Sequence, residues 1–171
     1  MASETNPEVL YWDSCTYLDY LKGDEHPLHA QMQMVIEGWR EGKVTLVTSA
    51  LTITEVLWVK CSEDQARSMI DRSWEPKIVA LFDPPHTQPL KIVELNRVVA
   101  RAARELVWDH GIKPKDAVHV ASALAGHCHM LHTNDTKLHK FSGKLGGTPK
   151  LRIEPPSWIR QMTLENGQQP S

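Results

Sequence analysis

Val9-Leu10-Tyr11-Trp12-Asp13-Ser14 is the stretch on which the fold turns. A short apolar run that ends at a carboxylate reads as a buried strand, with Asp13 at its carboxyl end. Outward from it, Ser14 to Leu21 predicts a short helix stopped near Gly23. Leu28 to Trp39 predicts a second, with Met32, Val35, Ile36 and Trp39 at helical spacing and Gly42 after it. Val44 to Thr48 is rich in β-formers and predicts the next strand. Thr52 to Val59 opens a third helix and Asp64 to Leu81 a fourth. Asp83 to Pro89 is the clearest loop, punctuated by three prolines. Lys91 to Leu95 predicts a strand. Asn96 to His110 predicts a helix, with Val99, Ala102, Ala103 and Leu106 on one face and Gly111 ending it. Pro114 fits the first turn of a further helix running through Ala125. Met130 to Thr133 and Leu151 to Glu154 complete the strands. Strands alternating with helices imply an α/β domain whose mostly parallel sheet is covered on both faces.

The bulk properties set limits. The chain has 171 residues, 41% of them hydrophobic, which suits one domain with a proper core. Residues 1–157 read as that domain and 158–171 as a tail disordered at its end. The net charge of −2 is too low for a protein that coats nucleic acid by neutralising phosphates, so any such contact needs a local patch or a bound cation. No apolar run approaches the ~20 residues of a membrane helix, and the polar start is no signal peptide. Cys15, Cys61 and Cys128 are far apart and lack metal-ligand spacing, so they read as thiols in a reducing, cytoplasmic compartment.

In open α/β sheets ligands bind beyond the carboxyl ends of the strands. Asp13 and Asp135 follow predicted strands, and Glu55 and Asp116 fall in the first turns of predicted helices. Each has an ordinary explanation. Asp13 can cap the helix after it. Glu55 stands three residues after Thr52, the spacing of a capping box. Asp116 suits a helix dipole, and Asp135 a turn. Together they are four carboxylates at one end of a sheet, which repel unless protons or a cation neutralise them. Hard oxygen donors at a partly open site favour Mg²⁺ or Mn²⁺, and such a site suits phosphodiester hydrolysis.

Four segments carry a resemblance: Tyr11-Trp12-Asp13-Ser14, Thr48 to Glu55, Lys115 to Ala123, and Thr133-Asn134-Asp135. In this order they resemble the signatures of the PIN-domain family, over Val9 to Glu154, and within it the VapC-type toxins of toxin–antitoxin pairs. The resemblance implies a three-layer α/β/α fold and Mg²⁺- or Mn²⁺-dependent endoribonuclease activity. It assigns catalysis to Asp13, Glu55, Asp116 and Asp135, with Asp13, Asp116 and Asp135 on the metal. Thr133 matches a hydroxyl position near the metal. His119, one helical turn after Asp116, reads as a supporting or packing residue. The implied partners are an RNA substrate, an antitoxin protein and a second copy of the chain. The alternative is a catalytically silent PIN-like module that binds RNA or a protein. An aspartyl-nucleophile phosphatase fits poorly, because its second aspartate would stand where Cys15 does.

The remaining features are more ambiguous. Lys137 and Lys140, with Lys144 and Lys150, follow Asp135 closely enough to steer phosphate or to be plain surface charge. Arg97, Arg101 and Arg104 share one helix side and read as a solvated face. His127, His129 and His132, placed on a strand, would not converge on a zinc ion. The six tryptophans suit a core or a dimer interface.

Overall fold

The computed structural model describes residues 7–60, 70–83 and 89–158. β1 (Glu8–Trp12) is the central strand of a five-stranded sheet. The spatial order is β3 (Lys91–Val93), β2 (Val44–Ser49), β1, β4 (Met130–His132) and β5 (Arg152–Glu154). Every pairing is parallel; Leu10 sits beside Leu46 on one side and Met130 on the other.

The apolar run is continuous because β1 is covered on both faces. Leu10, Tyr11 and Trp12 are all fully buried, but alternate residues enter different cores. Leu10 and Trp12 pack with Tyr17 of α1 (Ser14–Leu21), with Met32, Val35 and Ile36 of α2 (His29–Arg40), and with Leu81 and Phe82 of α4 (Glu75–Phe82). Tyr11 joins Val99, Ala103 and Leu106 of α5 (Arg97–His110) and Val120 and Ala121 of α6 (Pro114–Ala125). The result is the three-layer α/β/α arrangement. Burying one Leu-sized side chain stabilises by about 1.5–3 kcal/mol, so this strand alone anchors both layers. The Trp12 indole N–H donates to His132 Nδ1 at 3.1 Å, which satisfies a polar group deep in the core.

The chain runs from β1 through β2 to β3 on one side, then returns to build β4 and β5 on the other. The direction therefore reverses between β1 and β4, where open sheets of this kind form a crevice at the strands' carboxyl ends.

Several local expectations shift. The third helix, α3 (Ala50–Glu55), starts before Thr52 because Ser49 Oγ caps it, accepting from Leu51 N at 3.2 Å. Glu55 is thus the last residue of α3 rather than a first-turn residue, and the capping box with Thr52 does not form. The Thr52 hydroxyl is 2.9 Å from that of Thr48 instead. Of the helix expected over Asp64 to Leu81, residues 61–69 lie outside the described residues. Ile70 and Asp71 are not helical, and a 3₁₀ turn at Arg72–Trp74 precedes α4. Pro76 explains the late start, since it suits a first helical turn and would break an interior one. The third strand ends at Val93, because Asn96 already caps α5, accepting from Val98 N and Val99 N at 2.9 and 3.0 Å. Gly111 closes that helix in the left-handed conformation, φ 66°. A short helix not anticipated, α7 (Thr136–His139), follows Asp135. Residues 84–88 of the Pro-rich loop and 159–171 of the tail lie outside the described residues. No helix among the described residues is long and apolar enough to cross a membrane.

Candidate active site

Asp13 leaves the end of β1 and caps α1, its Oδ1 accepting from Thr16 N at 2.8 Å and from Thr16 Oγ1 at 2.9 Å. Capping does not exclude a place in the site. Asp13 is buried, and burial pushes its carboxyl above its ordinary value, against hydrogen bonds from Thr133 and Thr16. Thr16 Oγ1 also lies 2.9 Å from the His132 carbonyl oxygen, which ties α1 to the end of β4.

Thr133 is the first residue after β4. Its buried hydroxyl bonds to Asp13 and accepts from Asp135 N at 3.1 Å. One threonine thus bonds to the Asp13 carboxyl and to the backbone amide of Asp135. Asp135 caps α7, accepting from Lys137 N at 2.9 Å. Asp116 lies in the first turn of α6, and its carboxyl is raised by burial first and by the Asp135 charge second. His119 and Lys113 partly offset this.

Glu55 behaves differently. Its Oε2 is 2.9 Å from His119 Nε2 and its Oε1 3.0 Å from Lys115 Nζ. The His119 bond is the main cause of a carboxyl held down to about 2. On the other side of the buried ring, His119 Nδ1 is 2.9 Å from the Tyr11 hydroxyl. Burial and the Asp13 charge push the Tyr11 hydroxyl well above its ordinary range, so it keeps its proton. A carboxylate can only accept, so Nε2 carries a proton toward Glu55. In the neutral ring Nδ1 then accepts from Tyr11. His119 therefore links the core to the acidic cluster, and its ring is held at both ends.

The structure sets Asp13 beyond β1, Asp135 beyond β4, Asp116 in the first turn of α6 and Glu55 at the end of α3, within electrostatic reach of one another. The Cys15 thiol, pushed up to about 12 by burial first, is raised further by Asp13, Asp19, Asp116 and Asp135. Among the described residues, no direct ion pair involves Asp13, Asp116 or Asp135. Nor do any three His, Cys, Asp or Glu side chains among them converge closely enough to hold a metal ion.

Asp19, buried on α1, is the residue that sequence reasoning missed. It pairs with Lys22 at 2.6 Å and His26 at 3.5 Å, and accepts from Asn134 Nδ2 at 2.5 Å. Asn134 is therefore an anchor for the turn that carries Asp135, as well as a turn former. The contact joins residues 115 positions apart, and its only local sign is a carboxylate among apolar helix residues.

The other sequence features serve local ends. His127 stands in a left-handed turn, φ 55°, rather than on a strand. His129 Nδ1 accepts from Val9 N at 3.3 Å, and His132 is committed to Trp12. Arg97, Arg101 and Arg104 are exposed, with Arg104 over the Trp108 ring at 4.6 Å. Trp12 and Trp39 are core residues, whereas Trp108 is 66% exposed. Lys137 and Lys140 are exposed and line a cleft beside Asp116.

A family model described as "PIN domain" matches residues 11–144. No curated protein sequence matches the chain. Among solved structures, a chain of a toxin–antitoxin complex from Klebsiella pneumoniae is similar, with a TM-score of 0.52 and 17% identity over 83% of this chain and 94% of that one. A chain from a structure of FitAB bound to an IR36 DNA fragment is similar with a TM-score of 0.55 and 13% identity, over 89% of this chain and 99% of that one. At these identities the likeness is one of fold.

Proposed function

Because this chain belongs to the PIN-domain family, whose members are typically nucleases, we propose that it is a metal-dependent endoribonuclease and the toxin of a toxin–antitoxin pair. One observation carries the reading. The charges of Asp13, Asp116 and Asp135 all act on the Cys15 thiol, none of the three is in a direct ion pair among the described residues, and Asp13 and Asp116 sit in surroundings that penalise their charge. Evolution of a fold does not favour such a cluster for stability alone, and a cation relieves it.

The donor set fits Mg²⁺ or Mn²⁺. All donors are carboxylate oxygens, and Mg²⁺ is commonly held by one or two carboxylates with substrate phosphate and water completing its shell. The three carboxylates stand too far apart to close on an ion by themselves, so substrate phosphate and water would complete its shell. Asp13, Asp116 and Asp135 would hold the ion, which when bound would activate water and offset charge on the phosphate. Thr133 fixes Asp13 and Asp135 relative to each other. Glu55, kept ionised by His119 and Lys115, adds negative charge at the rim and pairs with the exposed Lys115. Lys137 and Lys140 would attract the phosphodiester chain. Products would carry a 5′-phosphate and a 3′-hydroxyl.

The similar toxin–antitoxin complex supports a protein antitoxin as partner, and the exposed Trp108 and Val98 on α5 offer apolar area for it or for a second copy of this chain. The test is to incubate end-labelled RNA with the protein in Mn²⁺ and in EDTA. Cleavage only with Mn²⁺, leaving 5′-phosphates, is expected. Persistent cleavage in EDTA, or cyclic 2′,3′-phosphate ends, would overturn the metal mechanism.

A further inference from the structure

Thr133 leaves the sheet with a backbone group that the sequence deprives of its partner. Between β4 and β5 the ladder advances two residues at a time. Arg152 N donates to the His129 carbonyl at 3.1 Å, and Thr133 N donates to the Glu154 carbonyl at 3.1 Å. In this register the Thr133 carbonyl would accept next from residue 156, which is a proline and has no N–H. Thr133 is fully buried, so its carbonyl oxygen needs another donor from within the protein. His139, the last residue of α7, supplies it, with Nε2 2.9 Å from that oxygen. A carbonyl only accepts, so Nε2 carries the proton and donates.

We propose that His139 is a positioning residue: it holds the Thr133–Asp135 turn, and with it the spacing of the Asp13 and Asp135 carboxylates. The proposal rests on the metal-dependent reading above and adds a residue that steadies the expected ligands from behind without touching the ion.

The bond joins residues 6 positions apart, and Asp135 lies inside the loop it closes. α7 has only four residues, and a single helical turn does not repay the entropy of forming it. Its Leu138 is buried in the core, but apolar packing is not directional, whereas the His139 bond fixes one main-chain oxygen. Thr133 passes the constraint on. Its hydroxyl bonds to the Asp13 carboxyl and accepts from Asp135 N at 3.1 Å. Asp135 in turn accepts from Lys137 N at 2.9 Å, and Asn134 is held from the other flank by Asp19. Because the three expected ligands do not close on an ion by themselves, its affinity depends on how firmly their spacing is kept. Groups that hydrogen-bond behind metal ligands commonly change affinity by about 10–100-fold when removed.

The test compares the full chain with His139→Leu, which removes the donor, and with His139→Gln, whose side-chain amide can reach the same carbonyl. Amide hydrogen exchange is followed residue by residue by NMR in metal-free buffer, and Mn²⁺ binding by calorimetry without RNA. Cleavage of a labelled RNA is then measured over a range of Mn²⁺ concentrations. In His139→Leu the Asp135 and Lys137 amides should exchange roughly tenfold faster, while the Tyr11 amide of β1 keeps the parent's rate. Mn²⁺ should bind about tenfold more weakly or worse, and the concentration for half-maximal cleavage should rise by the same factor. The rate at saturating Mn²⁺ should stay within about twofold of the parent's, because only binding of the ion is impaired. His139→Gln should match the parent in all three measurements. The proposal fails if the turn amides of His139→Leu exchange at the parent's rate, or if the Tyr11 amide accelerates as much as they do. It fails equally if His139→Leu binds Mn²⁺ as tightly as a parent that binds it. If the turn amides respond and glutamine restores them, but the parent binds no Mn²⁺, the hold on the turn stands and the metal reading fails.

Discussion

Asp13 and Glu55 lie in one acidic cluster, yet neutralising them should shift stability in opposite directions. Glu55 is held from 4.5 down to about 2 by the His119 and Lys115 contacts, which corresponds to roughly 3 kcal/mol if all of it reached stability. Lys115 is 73% exposed at its side chain, so water screens its share, and the buried His119 bond leaves about 1–2 kcal/mol. A depressed carboxyl stabilises fully above its unfolded value and loses that contribution as pH falls through about 2. Glu55→Gln should therefore lower Tm near pH 7 by roughly 2–8 °C at this chain length, and the difference should shrink as the pH falls below 4.5. Asp13 has the opposite sign. Its carboxyl is raised, so the ionised form costs stability above the raised value, and the cost vanishes as pH falls below 3.8. Asn at position 13 keeps an oxygen for Thr16 and loses the charge, so Asp13→Asn should raise stability near pH 7 by about 0.5–2 kcal/mol in EDTA. Mn²⁺ should then raise the parent's Tm and leave that of Asp13→Asn nearly unchanged. Thermal melts of the three proteins at pH 7 and at pH 4, with EDTA or Mn²⁺, decide the matter. An Asp13→Asn protein that melts below the parent in EDTA at pH 7 would refute the reasoning about a strained, cation-seeking carboxylate.

Tyr11→Phe leaves His119 Nδ1 without its buried hydroxyl partner and should cost about 1–3 kcal/mol by chemical denaturation; a neutral effect would mean that the hydroxyl does not hold the ring. Asp19→Asn and Asn134→Ala should each weaken Mn²⁺ binding measured by calorimetry. Their double-mutant cycle should show coupling of about 0.5–3 kcal/mol, whereas additive effects would deny that the pair positions Asp135. Gly38→Ala would place a methyl 2.7 Å from the Trp158 ring and should cost about 1–3 kcal/mol in a thermal melt, unless the indole moves away freely.

The sequence showed most clearly what depends on short-range pattern. The central strand was legible because four apolar residues ended at a carboxylate, and α5 because Asn96 and Gly111 bracket it with their own capping chemistry. Asp13 and Asp135 follow strand ends and Asp116 lies in a first helical turn, as the alternation of elements puts them. The exceptions were places where one residue overrode the pattern. Ser49 started α3 early and moved Glu55 to its far end, and Pro76 delayed α4. The support beneath the cluster could not be read locally at all. Tyr11 meets His119 across 108 residues and Asp19 meets Asn134 across 115, and no periodicity encodes either contact.

The central claim is that Asp13, Asp116 and Asp135 act together through a divalent ion on RNA. Its most direct test is single-turnover cleavage of a labelled RNA in Mn²⁺ by the parent chain, Asp13→Asn and Asp116→Asn, each first shown to be folded. The account predicts that the parent cuts and that either asparagine lowers the rate at least a hundredfold with the fold intact. Variants that cut at the parent's rate would contradict it.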